Sequence, residues 1–179
     1  MVKLANRMTK FSGDDLADIL RYSLDPSVIS FSMGSPAREL YPVDAIRKIV
    51  DEVLVNDSQR SLSYGATDGW QPLKKAYLEH VANPKGVYAA ENEVVVTTGS
   101  TQGVDLLAQI LIDPGDCILV ESPTYLNTIS VFKKYEATLV SVKMDDEGII
   151  ISDLEDKIKL YKPKMLYTIP TFQNPSGKT

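Results

Sequence analysis

A single cysteine, Cys117, among 179 residues leaves no internal disulfide to hold the fold together, and on redox grounds it favours a reducing compartment. Long apolar runs are missing too. No stretch approaches the roughly 18 residues a membrane helix needs, and Met1 to Lys10 is too polar for a secretory leader. A basic stripe is likewise absent: 19 Lys and Arg are outnumbered by 24 Asp and Glu, giving a net charge of −5. Without clustered cations the chain cannot release counterions from a nucleic-acid backbone. Neither nucleic acid nor membrane is expected as a partner, no metal site is expected, and the cytoplasm is the expected location. What remains is an ordinary globular composition, 44% apolar, enough to bury one good core.

The first 43 residues are connective in character. A short helix is expected from Leu16 to Tyr22, after Ser12-Gly13-Asp14, followed by a loop marked by Gly34, Pro36 and Pro42. From Val43, Ile46, Ile49, Val50, Val53 and Leu54 recur at helical spacing with Asp44 near the positive end of the dipole, which predicts an amphipathic helix. A second helix is expected after Asp68, with Pro72 in its first turn and Leu73, Ala76, Tyr77 and Val81 on one face.

The rest alternates. Glu93 to Thr98 is a β-branched run that predicts a strand stopping at Gly99, with a helix from Thr101 to Ile112. After the turn Asp113-Pro114-Gly115-Asp116, the continuous apolar run Cys117 to Glu121 predicts a strand buried on both faces. Pro123 is expected to open a helix to about Tyr135, Thr138 to Val142 to form a third strand, and Asp145 to Gly148 a turn. Ser152 with Glu155 reads as a capping box for a helix to about Leu160, before a fourth strand from Met165 to Ile169. This alternation predicts an α/β fold, an open and mostly parallel sheet covered by helices on both sides.

Three segments at predicted strand ends can carry chemistry. In Thr98-Gly99-Ser100-Thr101-Gln102-Gly103 a strand passes through a glycine turn directly into a helix. The helix start offers unbonded N–H groups and partial positive charge, worth roughly 0.3 to 2 kcal/mol to an anion, and hydroxyls of Ser100 and Thr101 stand beside them. A plain capped helix fits those residues equally well. Glu121-Ser122-Pro123-Thr124-Tyr125 sits where ligands settle in open α/β sheets, and Tyr125 could stack on a flat heteroaromatic ring or pack beneath its loop. In Pro170 to Gly177, Asn174 precedes a proline and is biased toward an extended backbone that aims its amide outward, though an ordinary Asn-Pro turn reads the same way. Gly177-Lys178-Thr179 imitates the tail of a Walker loop, but Phe172 stands where that motif needs glycine. Lys178 is expected to be only a solvated charge.

Taken in order, these segments resemble fold type I of the pyridoxal 5′-phosphate-dependent enzymes, the class I/II or aspartate aminotransferase superfamily, and most closely the aminoadipate, kynurenine and aromatic aminotransferase branch. Further matches are Ser30-Phe31-Ser32-Met33-Gly34-Ser35-Pro36, Tyr64-Gly65-Ala66-Thr67-Asp68-Gly69 with Pro72-Leu73, and Asp113 to Asp116. The resemblance covers nearly the whole chain, as the N-terminal portion of such an enzyme. It implies an arm and small-domain segment over 1–43 and the first part of the cofactor-binding large domain over 44–179. Ser100, Thr101 and Gln102 would then hold the cofactor phosphate, Tyr125 would stack on the pyridine ring, and Asn174 would donate to its phenolic oxygen. Tyr64 would reach the phosphate of a second subunit in a homodimer, and Gly34 would face the substrate. Thr171, where many relatives have asparagine, and Met33-Gly34-Ser35, in place of a more glycine-rich stretch, leave substrate choice open.

The resemblance places the aspartate facing the pyridine nitrogen, the lysine that binds the cofactor covalently and the arginine gripping the substrate carboxylate downstream of the asparagine loop. They are not among these residues. The implied function is transfer of an amino group between an amino acid and a 2-oxo acid, with no catalytic residue in this segment and no activity expected of it alone. A ligand-sensing domain of a transcription regulator, or a lyase on the same scaffold, are the alternatives. The lack of a basic helix-turn-helix ahead of these segments weighs against the regulator.

Overall fold

A computed structural model describes residues 2–10, 22, 25, 27–29 and 36–179. The helix expected from Leu16 and the Ser30 to Pro36 motif with Gly34 lie outside the described residues, Tyr22 and Pro36 apart. The chain divides into two compact units, Asp14–Thr97 and Met1–Gly13 with Thr98–Thr179.

In the first of these the periodic run from Val43 forms the helix α1, Val43–Ser61, which changes direction at Asp57 (φ −151°, ψ 30°). Its apolar stripe stays open among the described residues, Ile46, Ile49, Val50, Val53 and Leu54 being 40 to 58% exposed. The helix α2, Gln71–Tyr77, carries Pro72 in its first turn, where the missing N–H costs nothing, and continues through a π turn, Leu78–Ala82, that buries Leu78 and Ala82. Lys74 is fully buried and pairs with Asp68, whose carboxyl this contact holds below its ordinary range. Beside it Gly69 takes φ +110°, and a Cβ there would come within 2.4 Å of Val96 Cγ2, so only glycine fits.

The strand expected from Glu93 to Thr98 is not formed. Glu93 ends a 3-10 turn, residues 94–97 are assigned to no strand, and Val94 N–H and Val96 N–H donate to Glu91 O at 3.3 Å and Asp68 O at 2.9 Å. β-branched residues favour an extended backbone, but a strand exists only through a partner's ladder.

The second unit is built on a sheet. Cys117–Ser122 (β1), Thr138–Asp145 (β2), Gly148–Ile149 (β3) and Met165–Tyr167 (β4) lie in the order β3-β2-β1-β4. Central β1 pairs in parallel with β2 and β4, Leu119 standing opposite both Val140 and Leu166. Only β3 is antiparallel, closing a short hairpin with β2 in which Gly148 takes φ +111°. Parallel neighbours need crossovers, and helices supply them: Leu126–Lys134 (α4) between β1 and β2, and Ile151–Tyr161 (α5) before β4. Ser100–Leu111 (α3) leads into β1.

The expected double-faced burial of β1 holds, successive residues Ile118, Leu119, Val120 and Glu121 all being buried, with α3 and α4 packed on one face. Ala108, Ile112, Ile118, Val120 and Phe132 form the core between β1 and the two helices. Tyr167 of β4 meets Phe132 edge-on at 5.9 Å and 77°, worth about 0.5 to 1.5 kcal/mol beyond the area buried. The fold is α/β as expected, with a mixed sheet whose parallel strands are helix-connected.

Two helix starts differ from the sequence reading. Pro123 opens no helix: its bond to Ser122 is cis, and α4 begins at Leu126 with Tyr125 as N-cap. The Ser152–Glu155 capping box does not form either, since α5 already begins at Ile151. Its first-turn Asp153 instead accepts from Lys143 N–H at 2.8 Å and from Lys157 Nζ at 2.5 Å, a contact with β2 that no local pattern encodes.

Lysine ammonium groups hold the carboxyls of Asp105, Asp116 and Asp153 below their ordinary value of 3.8, through Lys134, Lys164 and Lys157 respectively. A carboxyl whose folded-state value is depressed stabilises the fold above its unfolded value and loses that contribution as pH falls through the folded one. Thermal stability should therefore be level above the ordinary carboxyl range and decline modestly as pH falls through it, which melts at a series of pH values would show. Asp105→Asn, which keeps an oxygen to accept from Lys134 (2.8 Å) and Tyr135 OH (3.0 Å) but removes the titrating charge, should flatten part of that decline.

Candidate functional site

Because β1 and β4 are parallel neighbours, their carboxyl ends open at one edge of the sheet. The loops that follow, 123–125 and 168–178, start there. Helix α3 reaches the same edge from the other direction: it is joined to the start of β1 by the short turn 113–116 and packs Ala108 and Ile112 on the sheet, so its N-terminus points back to the strands' carboxyl ends. The topology thus directs all three predicted segments of this unit toward the carboxyl ends of the strands, the usual ligand position in open α/β sheets.

At α3 the N-cap is Gly99, with φ +130°, and no side chain caps the helix. The first N–H groups, at Ser100, Thr101 and Gln102, have no intrahelical partner by geometry, and Gly103 N–H is the first to turn inward, to Gly99 O at 3.3 Å. Ser100, Thr101 and Gln102 are exposed. The side chain of Gln102 folds back so that its Oε1 accepts from Thr98 N–H at 2.6 Å and Thr98 Oγ1 at 3.0 Å. Its amide nitrogen is then the end that faces outward as a donor.

Tyr125 is half-buried and its hydroxyl accepts from Asn127 Nδ2 at 2.7 Å, which fixes the ring at the mouth of the edge. Its neighbour Thr124 is buried, yet Thr124 Oγ1 finds no hydrogen-bond partner. A buried orphan hydroxyl is uncommon and is the kind of group that a ligand atom or ordered water satisfies.

The Asn174 loop is held more tightly than its sequence suggests. Gln173 is buried at 2% exposure, and its Nε2 donates to Glu121 Oε2 at 2.9 Å and to Pro123 O at 2.7 Å. Its Oε1 accepts from Ser176 N–H at 2.9 Å and Ser176 Oγ at 2.6 Å. Glu121, also buried, receives Thr168 Oγ1 and Ile169 N–H on its other oxygen, the latter at 3.1 Å. Backbone bonds from Gln173 N–H to Lys178 O and from Gly177 N–H to Gln173 O close the loop. Asn174, joined to Pro175 by a cis bond, is exposed and its amide makes no hydrogen bond among the described residues.

Lys178 is not the free charge expected. Its Nζ donates to Asp145 O at 2.5 Å and to Asp146 Oδ1 at 2.9 Å, tying this loop to the β2–β3 hairpin and lowering the Asp146 carboxyl below its ordinary range. Neither this tie nor Glu121 and Gln173 was legible as a site residue, since their partners lie 32 to 52 residues away. Tyr64 belongs to the other unit and is fully exposed there. Cys117 is partly buried, and that burial pushes its thiol up, away from reactivity.

Helix-start N–H groups without intrahelical partners, a tyrosine ring, an orphan hydroxyl and an exposed amide are the donors and surfaces that these segments carry. The chain belongs to the class I and II aminotransferases, whose family model matches residues 26–179. It is 39% identical over 170 residues to an aromatic-amino-acid aminotransferase of Thermococcus litoralis, covering 92% of this chain and 41% of that protein. The crystal structure of a Pyrococcus horikoshii kynurenine aminotransferase in complex with PMP superposes with a TM-score of 0.88 at 30% identity, covering 98% of this chain and 45% of that one. An uncharacterised helix-turn-helix transcriptional regulator of Bacillus subtilis is 29% identical over 150 residues, covering 84% of this chain and 30% of its own length. The chain thus spans less than half the length of these relatives. Family membership indicates pyridoxal 5′-phosphate as the cofactor, and the donor set at the sheet edge fits it: backbone N–H groups suit its phosphate, and Tyr125 and Asn174 suit its ring.

Proposed function

We propose that these residues form the N-terminal portion of a pyridoxal 5′-phosphate-dependent aminotransferase that moves an amino group between an amino acid and a 2-oxo acid. The observation that carries this reading is the start of α3, which no side chain caps, together with the Tyr125 and Asn174 loops that follow β1 and β4. The N–H groups of residues 100–102, with the Ser100 and Thr101 hydroxyls and the Gln102 amide, hold the phosphate. Tyr125 covers one face of the pyridine ring and orients it. Asn174 donates from Nδ2 to the phenolic oxygen, which favours its ionised form. When bound, the cofactor supplies the electron sink for the carbon that carries the amino group.

The division into an arm and small-domain segment over 1–43 and the large domain from 44 onward belongs to the same proposal, with Gly34 in the loop facing substrate. So does a homodimer in which Tyr64 reaches the phosphate bound by the second subunit, and so does a cytoplasmic location. No described helix is long and apolar enough to cross a membrane. The 179 residues alone do not transaminate, because covalent capture and carboxylate binding need groups they do not contain.

The regulator reading is the second, favoured by the Bacillus subtilis relative. Product analysis of the full-length protein separates them. An aminotransferase given an amino acid and a 2-oxo acid yields the new amino acid in step with the loss of the donor. A sensor yields none, and a lyase releases ammonia or a thiol; either result would end the proposal.

A further inference from the structure

We propose that Glu121 and Gln173 form a buried clasp whose task is to position Asn174 on the cofactor, an inference that rests on the site proposed above. A side-chain amide can make two donor bonds from nitrogen and two acceptor bonds at oxygen, and buried Gln173 makes all four. Their polarity is fixed from both sides. Glu121 Oε2 and Pro123 O can only accept, so nitrogen must face them, while Ser176 N–H can only donate, so oxygen must face it. The amide cannot turn over without setting two acceptors against oxygen and a donor against nitrogen.

Glu121 is locked in the same manner. Its second oxygen is occupied by Thr168 and Ile169, the residues that lead out of β4, so one carboxylate ties the end of β1 to both ends of the segment 168–173. Fully satisfied buried networks of this kind specify one geometry, because any shift strands a polar group away from water. Asn174 directly follows the clasp and is bracketed by Ser176, which Gln173 also holds. Its own amide is thereby left unbonded and directed by the backbone alone. Gln173 and Glu121 are positioning residues, and neither need touch the cofactor.

This accounts for a glutamine at 173. Glutamate would be almost the same shape but would turn an acceptor toward both Glu121 and Pro123 O. Glu121→Gln makes the opposite error, presenting an NH2 either to the Gln173 NH2 or, turned over, to the Thr168 hydroxyl and Ile169 N–H.

The test uses the full-length protein and its Gln173→Glu, Glu121→Gln and doubly substituted E121Q/Q173E forms. Each is titrated with pyridoxal 5′-phosphate, and the visible absorbance of the bound cofactor is followed across a pH series. Each single substitution should weaken binding by roughly tenfold or more, the order expected when a buried charge-assisted hydrogen bond is lost. Each should also move the pH midpoint of the visible band upward, since an ill-placed Asn174 no longer favours the ionised phenolic oxygen. The double form restores an amide facing a carboxylate and should regain part of both, short of wild type because Glu at 173 still meets Pro123 O. A merely structural role would lower thermal stability and leave the midpoint where it was. Should the singles fail to fold, Ser176→Ala, which removes one hydrogen bond to Gln173, should give a smaller upward shift. An unmoved midpoint in the folded variants, with wild-type binding intact, overturns the clasp and leaves the cofactor site standing. If the wild-type protein itself shows no saturable binding, the site and the clasp fall together.

Discussion

Mixed with pyridoxal 5′-phosphate, an aromatic amino acid and a 2-oxo acid, the 179-residue polypeptide is expected to form no new amino acid above the rate given by the free cofactor. The full-length protein should form it readily. A total effect is expected because, in the proposed division of labour, the segment contributes binding and orientation only. Covalent catalysis by a lysine splits one hard step into easier ones, and no residue at this sheet edge can stand in for it. The ammonium at hand, Lys178, is already committed to Asp146 and to Asp145 O. Chromatographic detection of the product amino acid decides the matter. Turnover by the short polypeptide above the cofactor background would refute the proposed division of labour.

The second large effect is expected at the start of α3. Thr101→Asp puts a carboxylate where the phosphate is proposed to bind. An acidic residue in a first helical turn favours the helix by about 0.3 to 1 kcal/mol, so the variant should fold and melt no lower than wild type. The phosphate would then meet a like charge a few ångströms away. At an effective dielectric constant near 20, two unit charges 4 Å apart repel by about 4 kcal/mol, so affinity for the cofactor should fall roughly a hundredfold to a thousandfold. Pyridoxal lacking the phosphate should lose far less. Equal losses for the two compounds would show that residues 100–102 are not the phosphate site, whereas unaltered affinity for both would remove the anion site altogether.

The contrast between Thr101 and Gln173 shows which parts of the site are written locally. Gly99 followed by Ser-Thr-Gln at a helix start is a short-range pattern, since one glycine turn and one helix suffice to expose N–H groups. The central strand Cys117–Ser122 was legible because a continuous apolar run has few other uses. Glu121 and Gln173 look like any polar residues near a turn until the fold brings β4 alongside β1. The same limit explains Asp153, which serves β2 instead of a capping box, and the extended run at 94–97, where propensity set the backbone but no partner strand completes a ladder among the described residues. In α1 the period identified the helix, while what its stripe faces is decided outside its own sequence.

The most direct measurement is a crystal structure of the full-length protein with pyridoxal 5′-phosphate bound. The phosphate should lie within hydrogen-bonding reach, about 3 Å, of the N–H groups of residues 100–102, with the ring against Tyr125 and its phenolic oxygen facing Asn174 Nδ2. A cofactor bound at another edge, or one that leaves any of these three segments untouched, would contradict the account.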